Sequence, residues 1–406
     1  MSKGWFELIE SFILIQRDHP SGEDFPFQPP NPPPGGNLKM DAYCCDGFHK
    51  PMGQPQVSVV IPVWNGERYL REAIESVLAQ NLEKLELVVI DDGSTDGTSA
   101  ILEEYVNNGR IRVHRQTNQG LVAALNAGLR IAQSKYVARL DADDICMPGR
   151  LAAQLRFLEC HPEVLAVGGA IEMIDEHGHS KGRRGYPVGQ VAATSGMLKG
   201  CTLAHPAVMM RKEAVQAVGG YRTVFKHAED YDLWLRLIEH GPVDNLAEVM
   251  IKYRVHPESV THKYGTSQSL AAGAALVAHR RRVQGLPDPF DSLESSLKLE
   301  DILSEGFSIE EQATFAYVRF RILAEKNASI DDYLSALNWS WNLRRHIPRG
   351  RLVRHCLAPA ISALRKSGRT AEAFRWFSRA LVTEPLSACW MLCMHASKDF
   401  RQTHKS

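Results

Sequence analysis

The chain has 406 residues, which is too long for one typical domain and predicts two domains with additional segments. Its 47 basic and 47 acidic residues cancel, so the net charge gives no reason to expect nucleic acid or an anionic membrane as the main partner, although a local basic patch is compatible with it. The eight cysteines are scattered without a CxxC pair, which is typical of a reducing compartment. We also expect neither a signal peptide nor a membrane span, and therefore predict a cytoplasmic protein, at most peripheral to the inner face of a membrane.

The N-terminal segment, residues 1–54, has few periodic signals. It includes the stretch 25–36, in which prolines and glycines dominate. Such a composition favours an extended chain that does not pack into a core. We predict that residues 1–54 form a disordered segment.

From Val57 the chain alternates between strand and helix patterns. Apolar, β-branched runs predict strands at 57–61, 85–92, 111–114 and 136–140. Helical spacing predicts helices at 67–80, from 96 or 98 through 105, at 120–132 and at 150–160. Because strands that alternate with helices pair in parallel, residues 55–160 are predicted to form an α/β nucleotide-binding half.

Residues 161–262 are less regular and are predicted to form an acceptor-binding half. We expect strands at 164–174 and 249–255, a Gly-rich basic loop at 178–189, and helices at 213–218 and 226–237. Residues 263–406 are helical in character. Within them, 370–381 resembles one helix of a tetratricopeptide-like pair and 333–345 could be a related unit, although a plain helical appendage is the alternative. This region is a candidate surface for a protein partner.

Acidic residues follow the predicted strand at 136–140. Asp141 and Asp143 lie on the same side of an extended chain, so both carboxylates can converge on one ion, and Asp144 follows directly. The strand at 85–92 also ends in an acidic pair. Since the carboxyl ends of parallel strands meet at one edge of a sheet, we expect one ligand crevice there. Carboxylate oxygens are suitable ligands for Mg²⁺ or Mn²⁺. The alternative is a purely structural role, in which these acids only form turns and helix caps.

Several ordered motifs resemble those of the family 2 glycosyltransferases with the type A nucleotide-diphosphate-sugar fold. They are Pro62-Val-Trp-Asn65, Val89-Ile-Asp-Asp-Gly-Ser-Thr-Asp-Gly97, Asn118-Gln-Gly120 with Ala124-Leu-Asn126, Leu140-Asp-Ala-Asp-Asp144, Pro148 with Arg150-Leu151, and Glu229-Asp230. The resemblance covers residues 56–262. It implies an α/β fold with a mostly parallel sheet, followed by an all-helical C-terminal region.

The resemblance also implies an activity and its residues. A sugar would pass from a nucleotide-diphosphate-sugar, most often a UDP-sugar, to a hydroxyl of a carbohydrate or lipid-linked acceptor with inversion. Asp230 would be the catalytic base and Glu229 would orient the acceptor. Metal ligands would be Asp143 or Asp144, with His256 as a third. The residues expected to contact the nucleotide-sugar are Pro62, Val63, Asn65, Glu67, Asp91, Asp92, Asn118, Gly120, Asp141, Ala142 and Asp143.

Two other functions remain open at this point. A nucleotidyltransferase that forms sugar nucleotides would begin with a Gly-rich, basic phosphate loop. The segment Pro62-Val-Trp-Asn-Gly-Glu67 has one glycine and no lysine, which argues against it. A non-catalytic sugar-nucleotide-binding or scaffold protein acting through its C-terminal helices is the third hypothesis.

Overall fold

A computed structural model describes residues 55–255, 265–293 and 330–342, together with scattered positions from 307 to 376. The predicted disordered segment at 1–54 and the candidate ligand His256 lie outside the described residues. So does most of the tetratricopeptide-like helix at 370–381. These three expectations stay predictions.

The described residues form one nine-stranded sheet whose order is β3-β2-β1-β4-β8-β6-β9-β5, with β7 paired to β6. The strands are β1 (Val57–Val63), β2 (Leu85–Asp92), β3 (Arg112–Gln116), β4 (Tyr136–Arg139), β5 (Ile145–Cys146), β6 (Ala166–Ile174), β7 (Ser180–Arg184), β8 (Met209–Arg211) and β9 (Val243–Arg254).

Six of these nine described strands run in the same direction. Strands β1 to β4 pair in parallel, and the short β8 is antiparallel to both β4 and β6. This double reversal returns β6 to the direction of β4, and β9 is parallel to β6. The predicted α/β class with a mostly parallel sheet is therefore confirmed. Only β5, β7 and β8 run the other way.

Helices cover the sheet and alternate with the strands in the first half. The described α-helices are α1 (Leu70–Leu78), α2 (Thr98–Asn107), α3 (Leu121–Ile131), α4 (Arg150–Cys160), α5 (Gln190–Gly196), α6 (Lys212–Ala217), α7 (Glu229–Leu237), α8 (Gly265–Val283) and α9 (Ile330–Asn342). Among them, none is both long and apolar enough to cross a membrane.

The core forms because β1 is buried along its whole length. Helix α1 places Leu70, Ile74 and Val77, all fully buried, against it at helical spacing. Helix α3 approaches closely because Gly128 lacks a side chain. A Cβ there would lie 2.3 Å from Cγ1 of Val60.

The second half differs from the sequence-based prediction in several elements: β7 and β8 were not expected as strands, α5 was not expected as a helix, and β9 begins at Val243 where the prediction began at 249. The predicted basic loop at 178–189 contains β7, which pairs with β6 as a hairpin. All five of its side chains are exposed, so it has no apolar alternation to mark it as a strand. Strand β8 was not predicted because three residues are too few to show a period.

Candidate active site

The loops that follow β1 and β2 are joined by hydrogen bonds between them. The Asn65 carboxamide oxygen accepts from the backbone N–H of Thr95 at 2.8 Å, and the backbone N–H of Asn65 donates to Ser94 Oγ at 3.0 Å. The Glu67 carboxylate accepts from the backbone N–H of Gly97 at 2.7 Å. Asn65 and Glu67, both predicted to contact the nucleotide, therefore also fix the two loops to each other.

The acidic pair at the end of β2 organises the neighbouring loops. Asp91 accepts from the backbone N–H of Ser94 at 3.0 Å. Both oxygens of the buried Asp92 accept hydrogen bonds, including one from the backbone N–H of Gly120 at 2.8 Å. Gly120 has a φ of 87°, a conformation that favours glycine. Asp92 thus fixes the start of α3, and the predicted contact residue Gly120 with it.

The acidic cluster follows β4 as predicted. One carboxylate oxygen from each of Asp141, Asp143 and Asp144 lies within 4.8 Å of the other two. Asp141 forms an ion pair with Arg139, whose side chain is 4% exposed. Burial raises the pKa of the Asp141 carboxyl against the effect of Arg139, and Asp143 and Asp230 add to the rise.

Asp144 is the most deeply placed of the three acids. Its Oδ1 accepts from the backbone N–H of Arg254 at 2.8 Å, while its buried Oδ2 has no hydrogen-bond partner among the described residues. Burial, Asp143 and Asp141 raise the pKa of Asp144 well above its usual value. Asp144 therefore has one buried oxygen that is not used in a hydrogen bond to another described residue.

These observations fit a divalent cation. A buried oxygen without a partner costs free energy, and clustered carboxylates repel one another, so a cation between them would relieve both penalties. An all-oxygen donor set suits Mg²⁺ or Mn²⁺. Asp143 and Asp144 are the residues that would hold it.

The last residue of β9 supports the cluster from the opposite half of the fold. The Arg254 guanidinium donates from Nε to the backbone carbonyl of Asp143 at 2.9 Å and from Nη2 to Glu72 at 2.6 Å. It also lies 4.3 Å from the centre of the Tyr69 ring. Arg254 thus fixes the acidic turn to helix α1.

The second acidic group lies at the start of α7. Glu229 is 6% exposed, and burial together with the adjacent Asp230 raises its pKa to about 7. Its buried Oε2 has no hydrogen-bond partner within the described part of the chain. Because Asp230 raises the pKa of Asp141, the two acidic groups lie within electrostatic reach of each other.

Three residues of this site were missing from the sequence-based prediction. Arg139 is 3% exposed, and its Nε and Nη1 lack partners among the described residues. Its positive charge lowers the pKa of both Glu229 and Asp144.

The other two missing residues are Tyr221 and Trp64. The Tyr221 hydroxyl forms a hydrogen bond of 2.8 Å with the His205 ring, and burial raises its pKa. Tyr221 also lies near Arg139 and Asp230. Trp64 is 59% exposed beside Asn65 and offers a flat apolar surface at the end of β1.

The other predicted contact residues are distributed over the same loops. Pro62 and Val63 are buried at the end of β1, and Ala142 lies between Asp141 and Asp143. Asn118 is exposed in the loop before α3. The backbone N of Asn118 would be 2.7 Å from a Cβ placed on Gly93, so the loops after β2 and β3 approach closely.

Comparisons with known proteins identify the family of this chain. The sequence model of Glycosyl transferase family 2 matches residues 58–219. The chain is similar to EpsE of Bacillus subtilis, a protein named as a glycosyltransferase, with 41% identity over 206 residues, which are 49% of this chain and 73% of EpsE. It is also similar to the amylovoran biosynthesis glycosyltransferase AmsE of Erwinia amylovora, with 35% identity over 217 residues, 51% of this chain and 79% of AmsE.

The chain belongs to glycosyltransferase family 2. Among solved structures, the fold is similar to that of residues 1–349 of TarS from S. aureus in complex with UDP-GlcNAc, with a TM-score of 0.51 and 17% identity over 77% of this chain and 87% of that chain. A sequence identity of 17% shows that the two proteins share a fold, and it shows nothing about a shared function.

Proposed function

We propose that this family 2 glycosyltransferase transfers a sugar from a nucleotide-diphosphate-sugar, most readily a UDP-sugar, to an acceptor hydroxyl with inversion. The observation that carries the proposal is the acidic cluster after β4, in which one carboxylate oxygen from each of Asp141, Asp143 and Asp144 lies within 4.8 Å of the others. The charge of Asp230, in the second acidic pair, contributes to the raised pKa of Asp141, which supports a position near this cluster. A donor site and an acceptor site would thus adjoin.

On the donor side, the chain's own residues bind and orient the nucleotide diphosphate. The residues that would surround the nucleotide lie at the ends of β1 and β2 and on the loops beyond the strands: Pro62, Val63, Asn65, Glu67, Asp91, Asp92, Asn118, Gly120 and Ala142. Asp141 would bind the ribose. Mn²⁺ or Mg²⁺ bound by Asp143 and Asp144, with His256 as a proposed third ligand, would neutralise the charge of the departing diphosphate.

On the acceptor side, Asp230 would take the proton of the attacking hydroxyl. Inversion by a single displacement needs such a base on the face opposite the leaving group. Glu229, with a pKa near 7, is partly protonated at neutral pH and can either donate to or accept from a sugar hydroxyl. It would therefore orient the acceptor, while Arg139 limits its protonation.

The acceptor would be a carbohydrate or a lipid-linked saccharide, in the synthesis of a polysaccharide or glycoconjugate. The name of AmsE, which refers to amylovoran biosynthesis, supports this assignment. The UDP-GlcNAc in the TarS complex is in keeping with a UDP-sugar donor. We propose a cytoplasmic location, with peripheral contact to the membrane where a lipid-linked acceptor is used.

The test measures nucleotide binding and transfer separately. The thermal stability of the full chain is followed with UDP, GDP, dTDP or CMP, each with Mn²⁺ or with a chelator. A ligand at about a hundred times its Kd adds roughly 2.7 kcal/mol to the free energy of unfolding, so a metal-dependent rise in Tm with UDP is expected. UDP-sugars are then screened for transfer.

Two variants assign the roles. Asp143→Ala should lose the metal-dependent rise, whereas Asp230→Asn should keep it and lose transfer. A protein that no nucleotide stabilises would contradict the proposal. If Asp230→Asn is stabilised by UDP and still transfers sugar at the normal rate, the assignment of Asp230 as the catalytic base is wrong.

A further inference from the structure

The helix that carries the acidic pair depends on side chains outside it for its position. Helix α7 has nine residues, and its N-cap residue, Ala228, offers no side-chain hydrogen bond. A helix this short is marginal in isolation, so tertiary contacts must fix it. Glu229 and Asp230 occupy its first two positions, where any change of direction moves both carboxylates.

One fully buried carboxylate provides the first of these contacts. Asp232 lies in the first turn of α7 with a side-chain exposure of 0%. It accepts from Arg222 Nη2 at 2.5 Å and from Arg236 Nη2 at 2.7 Å. Because a buried carboxylate without counter-charges is costly, the position of Asp232 is linked to that of Arg222.

Arg222 in turn is bound by the segment beyond residue 264. Its Nη1 lies 2.9 Å from Oδ2 of Asp288, whose side chain is 1% exposed, and 2.8 Å from Oδ1 of Asp291, which is 70% exposed. Asp288 is itself fixed, since it accepts from the backbone N–H of Phe290 at 2.9 Å and pairs with Arg282 of α8. One arginine thus connects the first turn of α7 to the chain that follows α8.

The far end of α7 is connected to the same segment. Glu239, two residues past the helix, pairs with Arg282 Nη2 at 2.9 Å and with His279 Nδ1 at 2.7 Å, both from α8. Apolar contacts add to these pairs, because the buried Phe225 and Phe290 rings meet edge to face at a centroid distance of 5.5 Å. Both ends of α7 are therefore anchored by residues 265–293.

We propose that residues 265–293 position the acidic pair through the ion-pair chain Asp232–Arg222–Asp288, and that the working transferase includes them. The predicted boundary at residue 262 would then divide the catalytic unit. Asp288 and Arg222 act as positioning residues, since their ion pairs lead to Asp232 and not to the carboxylates of Glu229 and Asp230. This inference rests on the proposed roles of Glu229 and Asp230 in transfer.

The chain offers a matched pair of variants for the test. Asp288→Asn is isosteric and keeps an oxygen for the Phe290 N–H, so it removes mainly the charge opposite Arg222 and Arg282. Asp291→Asn removes the exposed carboxylate from the same Arg222 atom. Both variants are made in the full chain. Arg222→Lys is a third variant, which perturbs the ion pairs of Arg222 with Asp232 and Asp288 because lysine keeps the charge but lacks the planar guanidinium.

Two readouts are measured for each variant. The first is the rate of sugar transfer, with kcat and the donor KM determined separately. The second is hydrogen exchange of the backbone amides in 228–237, compared with those of β1. Asp288→Asn is expected to lower kcat by about tenfold with little change in donor KM, because misplaced catalytic groups cost rate rather than donor binding. It should also speed exchange at the start of α7 but not in β1.

The outcomes are distinguishable. Asp291→Asn should stay within about twofold of the wild type in both readouts, since exposed ion pairs contribute little. If Asp288→Asn matches Asp291→Asn in exchange and in kcat, the proposed link is wrong. If the wild type transfers no sugar, the proposed function fails, and faster exchange in α7 of Asp288→Asn would still support the anchoring.

Discussion

Replacing Glu229 by glutamine should stabilise the folded protein at alkaline pH, although the residue belongs to the candidate active site. Burial and Asp230 raise the pKa of Glu229 from an ordinary 4.5 to about 7. The folded state therefore retains a proton that the unfolded chain releases near pH 4.5. Between these two pH values the free energy of unfolding falls as the pH rises, and the full penalty is present above pH 7.

The size of the effect follows from the same values. Each unit of change in a pKa corresponds to about 1.4 kcal/mol, so the rise in the pKa of Glu229 corresponds to a loss of about 3 kcal/mol in the free energy of unfolding above pH 7. Glutamine has nearly the same shape but does not ionise. The stability of Glu229→Gln relative to the wild type should therefore grow by about 2–3 kcal/mol from pH 5 to pH 8.

Urea unfolding at several pH values, in the presence of a chelator, measures this difference. Glu248→Gln serves as the control because it makes the same substitution at an exposed glutamate of β9. The same Glu229→Gln protein should transfer sugar more slowly. If its advantage in stability is equal at pH 5 and pH 8, the environment assigned to Glu229 is incorrect.

Three further substitutions test other parts of the molecule. Arg139→Met leaves the Asp141 carboxylate without its buried counter-charge, so the free energy of unfolding in urea should fall by about 3 kcal/mol at pH 8. The loss should shrink as the pH is lowered, because burial raises the pKa of Asp141 and so favours its uncharged form; an equal loss at pH 8 and pH 5 would contradict this. Trp64→Ala should raise the donor KM about tenfold and leave kcat nearly unchanged if the exposed indole stacks on the base, and an unchanged KM would exclude that role. Gly128→Ala places a Cβ 2.3 Å from Val60 and should lower the free energy of unfolding by about 1–3 kcal/mol. Gly185→Ala is the control, because a Cβ at Gly185 has nothing within 4 Å and its φ is not positive.

The elements with strong local signals were predictable from sequence. Strand β2 and helix α4 have the predicted bounds, 85–92 and 150–160, because an apolar run and a helical period each identify the element without tertiary information. Strand β7 lacks such a signal, since Ser180–Arg184 is polar and is ordered by backbone pairing with β6.

The same distinction applies to the candidate site. The proximity of Asp141, Asp143 and Asp144 follows from their adjacency in the chain, and the resemblance to a family indicated Glu229 and Asp230. Arg139 could not be identified in this way, because an arginine at the end of a strand usually reaches solvent, and only the fold shows that it is buried beside Asp141. The contact of Arg222 with Asp288 spans 66 residues and leaves no trace in local sequence.

The hydrogen bond between Asp144 and Arg254 has a consequence for the order in which the protein is made. These residues are 110 positions apart, and Arg254 is the last residue of β9. During synthesis the ribosome therefore releases the strands and helices of 55–160 well before the arginine that fixes the acidic turn. Contacts between residues so far apart in the sequence form late, because closing the intervening loop costs conformational entropy. A nascent chain that ends before β9 would have residues 55–160 without a completed acidic turn. Under the proposed function, competence to bind the donor would then arise only when nearly the whole sheet has assembled.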